Sequence, residues 1–321
     1  MGQRANYIIK NHDQLTIHYN HWRANCILAD LYLGEKRFLK FVEECQLNDE
    51  IMNEPWIEGC VVIDKPAKRL HFWSWEFSNE TSVIEYYLSA LAKKWEGWTV
   101  QFLKNRMYDV EKILGIDYIS KQELPKLNTW SKEDMVNDKE EEWTTALVVI
   151  KSSDKLFVTK TGNLNSKVIV SYGQDVIPLL LDKSQYELPN EEDESTYECI
   201  VIDTAEKKLF INQSEYGLRE QAQDLWKEYE FTMGDFGYIE TLRRAGIDIA
   251  NLMMTEEKVL EQFNNIVNYE NNFDPYEMAE KLTNENSDIQ FNPDFFDTVT
   301  PQKSMLSRLK SKVRRMFGRQ R

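Results

Sequence analysis

The chain has little that names a chemistry outright. It lacks a GxxxxGK[ST] loop, a strand-linked GxGxxG, an HExxH pair and a GxSxG elbow, and 12 glycines in 321 residues are few for phosphate cradles. Nucleotide hydrolysis and zinc proteolysis are therefore not expected. No apolar run approaches the roughly 18 residues of a membrane span. The opening residues mix Arg4, Lys10, His12 and Asp13 among the apolar ones, unlike a secretory leader. Four cysteines, Cys26, Cys45, Cys60 and Cys199, stand at long irregular spacings without a CxxC pair. Reduced thiols and a cytoplasmic location are the expectation, and neither a metal nor a cofactor is expected.

What is present is apolar material and charge. Hydrophobic residues make up 42% and aromatics 12% of the chain, enough to build cores. The 39 Lys and Arg against 54 Asp and Glu give a net charge of −15, but residues 301–321 hold eight basic residues and no acid, so the rest of the chain carries −23. A body that acidic repels nucleic-acid backbones and favours a basic protein partner.

The second half of the chain matches the first in four places, in the same order. Tyr7-Ile-Ile-Lys-Asn-His-Asp-Gln-Leu15 lies against Val148-Val-Ile-Lys-Ser-Ser-Asp-Lys-Leu156, and Gly34 with its following apolar run against Gly173 and its own. Cys60-Val-Val-Ile-Asp-Lys-Pro-Ala-Lys-Arg-Leu70 aligns without a gap on Cys199-Ile-Val-Ile-Asp-Thr-Ala-Glu-Lys-Lys-Leu209, and Leu114-Gly-Ile-Asp117 matches Ala245-Gly-Ile-Asp248. The expected fold is α+β: two diverged copies of a hairpin-helix-hairpin-helix-strand-helix unit, with largely antiparallel sheets and packed helices. In the first copy Ile84, Tyr87, Leu88, Leu91 and Trp95 fall on one helical stripe, with Asn79 or Thr81 as N-cap. Thr255 is expected to cap a later helix with Val259, Phe263, Ile266 and Val267 on one face. The organisation is thus a first unit over 1–119, an acidic linker over 120–142, a second unit with a terminal helix over 143–269, an acidic flexible tether over 270–300 and a basic amphipathic tail over 301–321.

On a helical wheel, Met305, Leu306, Leu309, Val313, Met316 and Phe317 gather on one side, and Lys310, Lys312, Arg314, Arg315 and the other basic residues take the rest. Such a face suits an anionic membrane surface, where each Lys or Arg adds about 1 kcal/mol. Its own acidic body, a groove on a partner, or RNA or DNA are the competing destinations.

Ionisable side chains concentrate in His18-Tyr-Asn-His-Trp-Arg-Ala-Asn25, which the second copy does not keep. His18 and His21 alone do not make a metal site, which needs further ligands. His21 as a general base, with Arg23 holding an anion, is one reading. The other is structural, because strand alternation sends Tyr19, His21 and Arg23 one way and His18, Asn20 and Trp22 the other. Further on, His71, Trp73 and Trp75 share a strand face, either as a stacking surface or as packing. Cys60 and Cys199 at equivalent strand starts read as buried and inert, and Glu43-Glu44 and Glu191-Glu192 as solvated surface.

Gly2-Gln-Arg-Ala-Asn6 with Tyr19-Asn-His-Trp-Arg-Ala-Asn25 and Trp56-Ile-Glu-Gly-Cys60 resembles the opening of a group of uncharacterised bacterial proteins, over about the first 117 residues. The resemblance implies a bacterial cytoplasmic protein and no particular activity. Residues 305–319 resemble in type the C-terminal membrane-targeting helices of the bacterial actin-like division protein and the division-site ATPase. The expectation is a non-enzymatic binding or regulatory protein. An acidic body recognises a protein, in one version as an immunity or antitoxin-like protein steered to a basic toxin, and the tail attaches reversibly to membrane. The alternative is an enzyme with a site near His18, His21, Arg23 and His71.

Overall fold

The computed structural model describes residues 3–52, 56–75, 77, 80–118, 131, 133–134, 145–153, 155–192, 198–213, 217–270, 274–285, 288–296 and 299. The basic tail and nearly all of the 120–142 connection lie outside these residues.

The first unit builds a six-stranded sheet in the order β3-β2-β1-β4-β5-β6 from β1 (Ala5–Asn11), β2 (Gln14–Asn20), β3 (Gln46–Asn48), β4 (Gly59–Asp64), β5 (Arg69–Ser74) and β6 (Thr99–Phe102). Its helices are α1 (Ile27–Leu31), α2 (Glu35–Glu44), α3 (Thr81–Lys94) and α4 (Met107–Leu114). The second unit has a five-stranded sheet, β11-β10-β9-β7-β8, from β7 (Ala146–Ser152), β8 (Lys155–Thr161), β9 (Glu198–Asp203), β10 (Lys208–Ile211) and β11 (Glu230–Met233). Four helices accompany it among the described residues: α5 (Ser166–Ser171), α6 (Val176–Leu181), α7 (Leu218–Ala222) and α8 (Tyr238–Arg244).

The sheets are α+β as expected but mixed in sense. Hairpins β1-β2, β4-β5, β7-β8 and β9-β10 are antiparallel, whereas β1 lies parallel to β4, β5 to β6, β7 to β9 and β10 to β11. Crossover helices return the chain in its original direction from β5 to β6 through α3 and from β10 to β11 through α7, while β1-β4 and β7-β9 pair the first strands of successive hairpins side by side. Both faces of each sheet are covered. Ala146, Val148 and Ile150 pack with α5, α6 and α7, while Leu147 and Val149 pack with α8. In the first sheet Phe72 meets Tyr87 of α3, and Arg106, which precedes α4, lies over Trp73 on the opposite face. Burial on two sides is why the central strands read as unbroken apolar runs such as Cys60-Val-Val-Ile63.

Residues that align in sequence also do equivalent work in space. Lys10 reaches Asp64 at 3.6 Å across β1 and β4, and Lys151 reaches Asp203 at 3.0 Å across β7 and β9. Each aspartate accepts backbone N–H groups of its own turn: Ala67 for Asp64, Ala205 and Glu206 for Asp203. Burial pushes the Asp203 carboxyl up, but those N–H groups and Lys151 outweigh it and hold the carboxyl below its ordinary range. Gly115 and Gly246 both follow a helix with positive φ, 66° and 69°, the left-handed stop that glycine adopts without Cβ strain. The aromatic pairs Trp95–Trp98 and Trp226–Tyr229 stand edge to face, at 5.3 Å and 5.0 Å, and each leading indole donates to a helix carbonyl, Leu31 and Val170 respectively.

The stripe on α3 holds, with Tyr87, Leu91 and Trp95 buried, but its N-terminus is capped from afar. Glu80 takes the N-cap position without a side-chain cap bond, and Asn79 lies outside the described residues. Thr81 is instead the first helical residue, and its hydroxyl accepts the Glu240 N–H at 2.8 Å. The cap comes from Glu191, 1% exposed, whose carboxylate accepts the N–H and hydroxyl of Ser82 and the N–H of Met254. Glu191 is therefore a buried clamp between units and not solvated surface. Its neighbour Glu192 accepts the Thr255 N–H at the start of α9 (Glu256–Val267). The expected solvated role does fit Glu43 and Glu44, which pair with Lys65 and Lys40 at the surface.

Helix α9 follows the second unit in sequence yet packs on the first. Its Phe263 joins the first core, meeting Tyr32, Tyr86 and Tyr87 at 5.4, 4.9 and 6.3 Å. The expected tether over 270–300 is also structured where it is described. Helix α10 (Pro275–Glu285) and a 3-10 turn, Pro293–Phe296, stack through Tyr276 and Phe296 at 4.9 Å. Proline at the first helical position and clustered phenylalanines outweigh an acidic, Asn-rich composition. No helix among the described residues is long and apolar enough to cross a membrane.

Candidate functional site

His18 is on β2 opposite Tyr7, whose ring packs edge-on against Phe38 and Phe41 of α2. Its Nδ1 meets the Cys45 carbonyl at 3.2 Å, just past the end of α2. Asn20, two residues on, donates from Nδ2 toward the Cys45 sulfur, so these two share the helix side as alternation requires. His21 points with Tyr19, whose hydroxyl lies 2.9 Å from its Nδ1. Arg23 departs from the alternation because β2 ends at Asn20. It turns to the helix side, where Nε and Nη2 grip both oxygens of buried Asp30 and the guanidinium lies 5.9 Å from the Phe41 ring. Burial works against the Arg23 charge, but Asp30 more than compensates and keeps it protonated.

His71 belongs elsewhere. It sits on β5, paired with Val62, on the face opposite Phe72 and hence opposite His18. Strands β1 and β4 lie between β5 and β2, which separates His71 from His21 by about 14 Å of sheet at the usual strand spacing. The structure does not bring His18, His21, Arg23 and His71 together around one cavity. Among the described residues no group of three or more His, Cys, Asp or Glu is placed to hold a metal ion. All four cysteines are buried and outside any disulfide, and burial pushes the Cys60 thiol far up, so it behaves as an inert core residue.

Burial, then Arg69, lowers the His71 pKa below its ordinary 6.5, against the hydrogen bond with Gln101 and the more distant Asp64 and Asp109. The folded chain resists a proton that the unfolded chain accepts, so this contribution to stability is complete above pH 6.5 and is lost as pH falls below it. His71→Gln is expected to flatten that acid-side loss. Thermal melts at about pH 7.5 and about pH 5.5 should show a smaller difference for the variant than for the wild type, and an equal difference counts against the assignment.

Two of the tryptophans do face solvent. Trp56 and Trp75 are 62% and 64% exposed, with Arg4 over the first ring at 5.8 Å and Arg106 over the second at 5.6 Å. Backbone bonds tie this edge together: Glu58 N–H donates to the Arg4 carbonyl and Trp75 N–H to the Glu58 carbonyl, each at 2.9 Å. Trp73, between them in the strand pattern, is buried, so the expected stacking face resolves into one packed and one exposed indole. Arg106 is anchored by Asp235 of the second unit at 2.6 Å.

An open groove of about 710 Å³ runs along α10, lined by Asp274, Glu277, Glu280 and Glu285 with Met278, Lys281 and Asn284. Sequence reading found the HWRAN segment but missed this groove and the exposed Trp-Arg edge. Trp56 and Trp75 carry no sequence signal separating them from their buried neighbours, and the carboxylates of α10 were read as part of a tether. No protein-family model, curated protein or solved structure matches the chain.

Proposed function

We propose that the chain is a binding or regulatory protein whose acidic body recognises a basic protein partner and whose tail attaches it reversibly to an anionic membrane. The observation that carries this reading is the partition of charge: −15 overall, with eight basic residues and no acid in residues 301–321 and −23 in everything before them. A body of that sign attracts cationic partners and speeds their encounter. The carboxylates along α10 and the exposed Trp56 and Trp75 beside Arg4 and Arg106 supply the acidic and aromatic surface that such recognition uses. An immunity-like role against a basic toxin is the concrete form we favour.

The shared strand order, the matched Lys-Asp pairs and the matched glycines support reading the two units as diverged copies of one ancestor. Divergence then left the ionisable HWRAN segment to the first copy alone.

In the tail, Leu306, Leu309, Val313, Met316 and Phe317 would enter the headgroup boundary while Lys310, Lys312, Arg314 and Arg315 meet anionic lipid. Co-sedimentation with phosphatidylglycerol or phosphatidylcholine vesicles, using the full chain and one ending at residue 300, tests this directly. Pelleting is expected only with the full chain, anionic lipid and low salt. Equal behaviour of the two chains removes the membrane from the proposal.

A further inference from the structure

Beside the acidic surface stands a recognition feature of different chemistry. Phe295 and Val299 lie against Asn20, His21 and Trp22, almost the whole chain length away in sequence, and Phe291 and Phe296 pack behind the Phe295 ring. The Trp22 indole N–H donates to the Phe295 carbonyl, and Asn20 Nδ2 donates to the Val299 carbonyl at 3.1 Å. The Phe295 ring stands edge-on to Trp22 at 5.2 Å and near His21 at 6.2 Å.

We infer that Asn20, His21 and Trp22 form a peptide-docking ledge, filled here by the chain's own C-terminal segment. In trans it takes a partner segment with an aromatic residue followed four positions later by an aliphatic one. Both hydrogen bonds run from side-chain donors to main-chain carbonyls, a mode that reads backbone and accepts any chain of the right course. Selectivity comes from the ring seated on Trp22.

The ledge is built without help from its occupant. Asn20 Oδ1 accepts the Trp22 backbone N–H at 3.0 Å, which fixes the amide so that Nδ2 faces the occupant. His21 is held by the Tyr19 hydroxyl and lies 4.6 Å from the Trp22 ring. A bridge between Gln3 and Trp22 ties the backbone to the chain start.

The occupant is held far more lightly. Its four apolar side chains are each only partly buried, Val299 at the edge of the first core, and its described residues join no sheet. Behind it, α10 buries only Pro275 and Ala279. Asn20 and Trp22 are buried beneath the segment, and when it leaves Asn20 Nδ2 keeps the Cys45 sulfur at 3.8 Å as a partner while the Trp22 indole is uncovered to water. These are the marks of a piece that opens locally while the core stays closed.

The test uses the full chain, as wild type and as F295A/F296A, with a labelled peptide of residues 288–299 read by fluorescence anisotropy. The variant is expected to bind the peptide at least about tenfold tighter than wild type, because the competing segment has lost its anchors. A peptide with alanine in place of Phe295 and Val299 should not bind, and Asn20→Ala added to the variant should weaken binding. Folding of each chain is checked by circular dichroism. A folded variant that binds no tighter than wild type overturns the inference, as does binding indifferent to Asn20→Ala. Hydrogen exchange on the wild type is a second measurement that no substitution can confound. Amides of 291–296 should exchange well before those of β1, and simultaneous exchange would make the segment permanent core.

Discussion

Glu191→Ala is expected to cost about 2–4 kcal/mol, since each buried donor it leaves unsatisfied costs on the order of 1–3 kcal/mol. The carboxylate satisfies the Ser82 N–H and hydroxyl from α3 and the Met254 N–H before α9, and no water replaces it at a buried site. Each N–H left without an acceptor carries its own desolvation cost, and α3 also loses the negative charge at its N-terminus. Because Ser82 belongs to the first unit and Glu191 to the second, the loss should fall on the contact between units. Urea unfolding of the variant is expected to shift to lower denaturant and to broaden or split as the units uncouple. A single transition moved by less than about 1 kcal/mol would show that the clamp contributes little.

The second large effect belongs to Arg23 and Asp30. Asp30→Asn or Arg23→Met alone should destabilise by about 3–5 kcal/mol, since each leaves a buried charge without its partner. Removing both with Arg23→Met/Asp30→Leu should recover most of that, because two desolvation costs vanish together. The double-mutant cycle, read from chemical denaturation, separates a structural pair from a pair kept for ligand contact. A double variant as unstable as the sum of the singles would mean that Arg23 and Asp30 each hold something besides one another.

How legible was this in the sequence? The hairpins were legible because the determinants are local: an Asp opening a turn, a Lys on the neighbouring strand, a glycine where a helix stops. Aligned Lys10 and Lys151, Asp64 and Asp203 then turned out to be partners across parallel strands. The two-sided burial was also latent in runs such as Cys60-Val-Val-Ile63. What escaped was long-range. Glu191 looks like any loop carboxylate until Ser82, 109 residues earlier, is placed above it. Arg23 followed the strand pattern on paper, but β2 stops three residues before it. Composition misled over 270–300, where Asp and Asn are plentiful but Phe295 and Phe296 decide the outcome through contacts with Trp22 and Tyr276, with Phe291 packed on both.

The seating of α9 has a consequence for how the protein is made. Phe263 fills a place among Tyr32, Tyr86 and Tyr87, so the first unit emerges from the ribosome with part of its core uncovered. At about 5–20 residues per second that surface waits roughly 7–30 s for residues 256–267 to be synthesised. During this interval the nascent chain presents aromatic rings to chaperones and to its neighbours on the same messenger. Translation stalled within the second unit should therefore yield aggregates of an otherwise correctly paired first sheet.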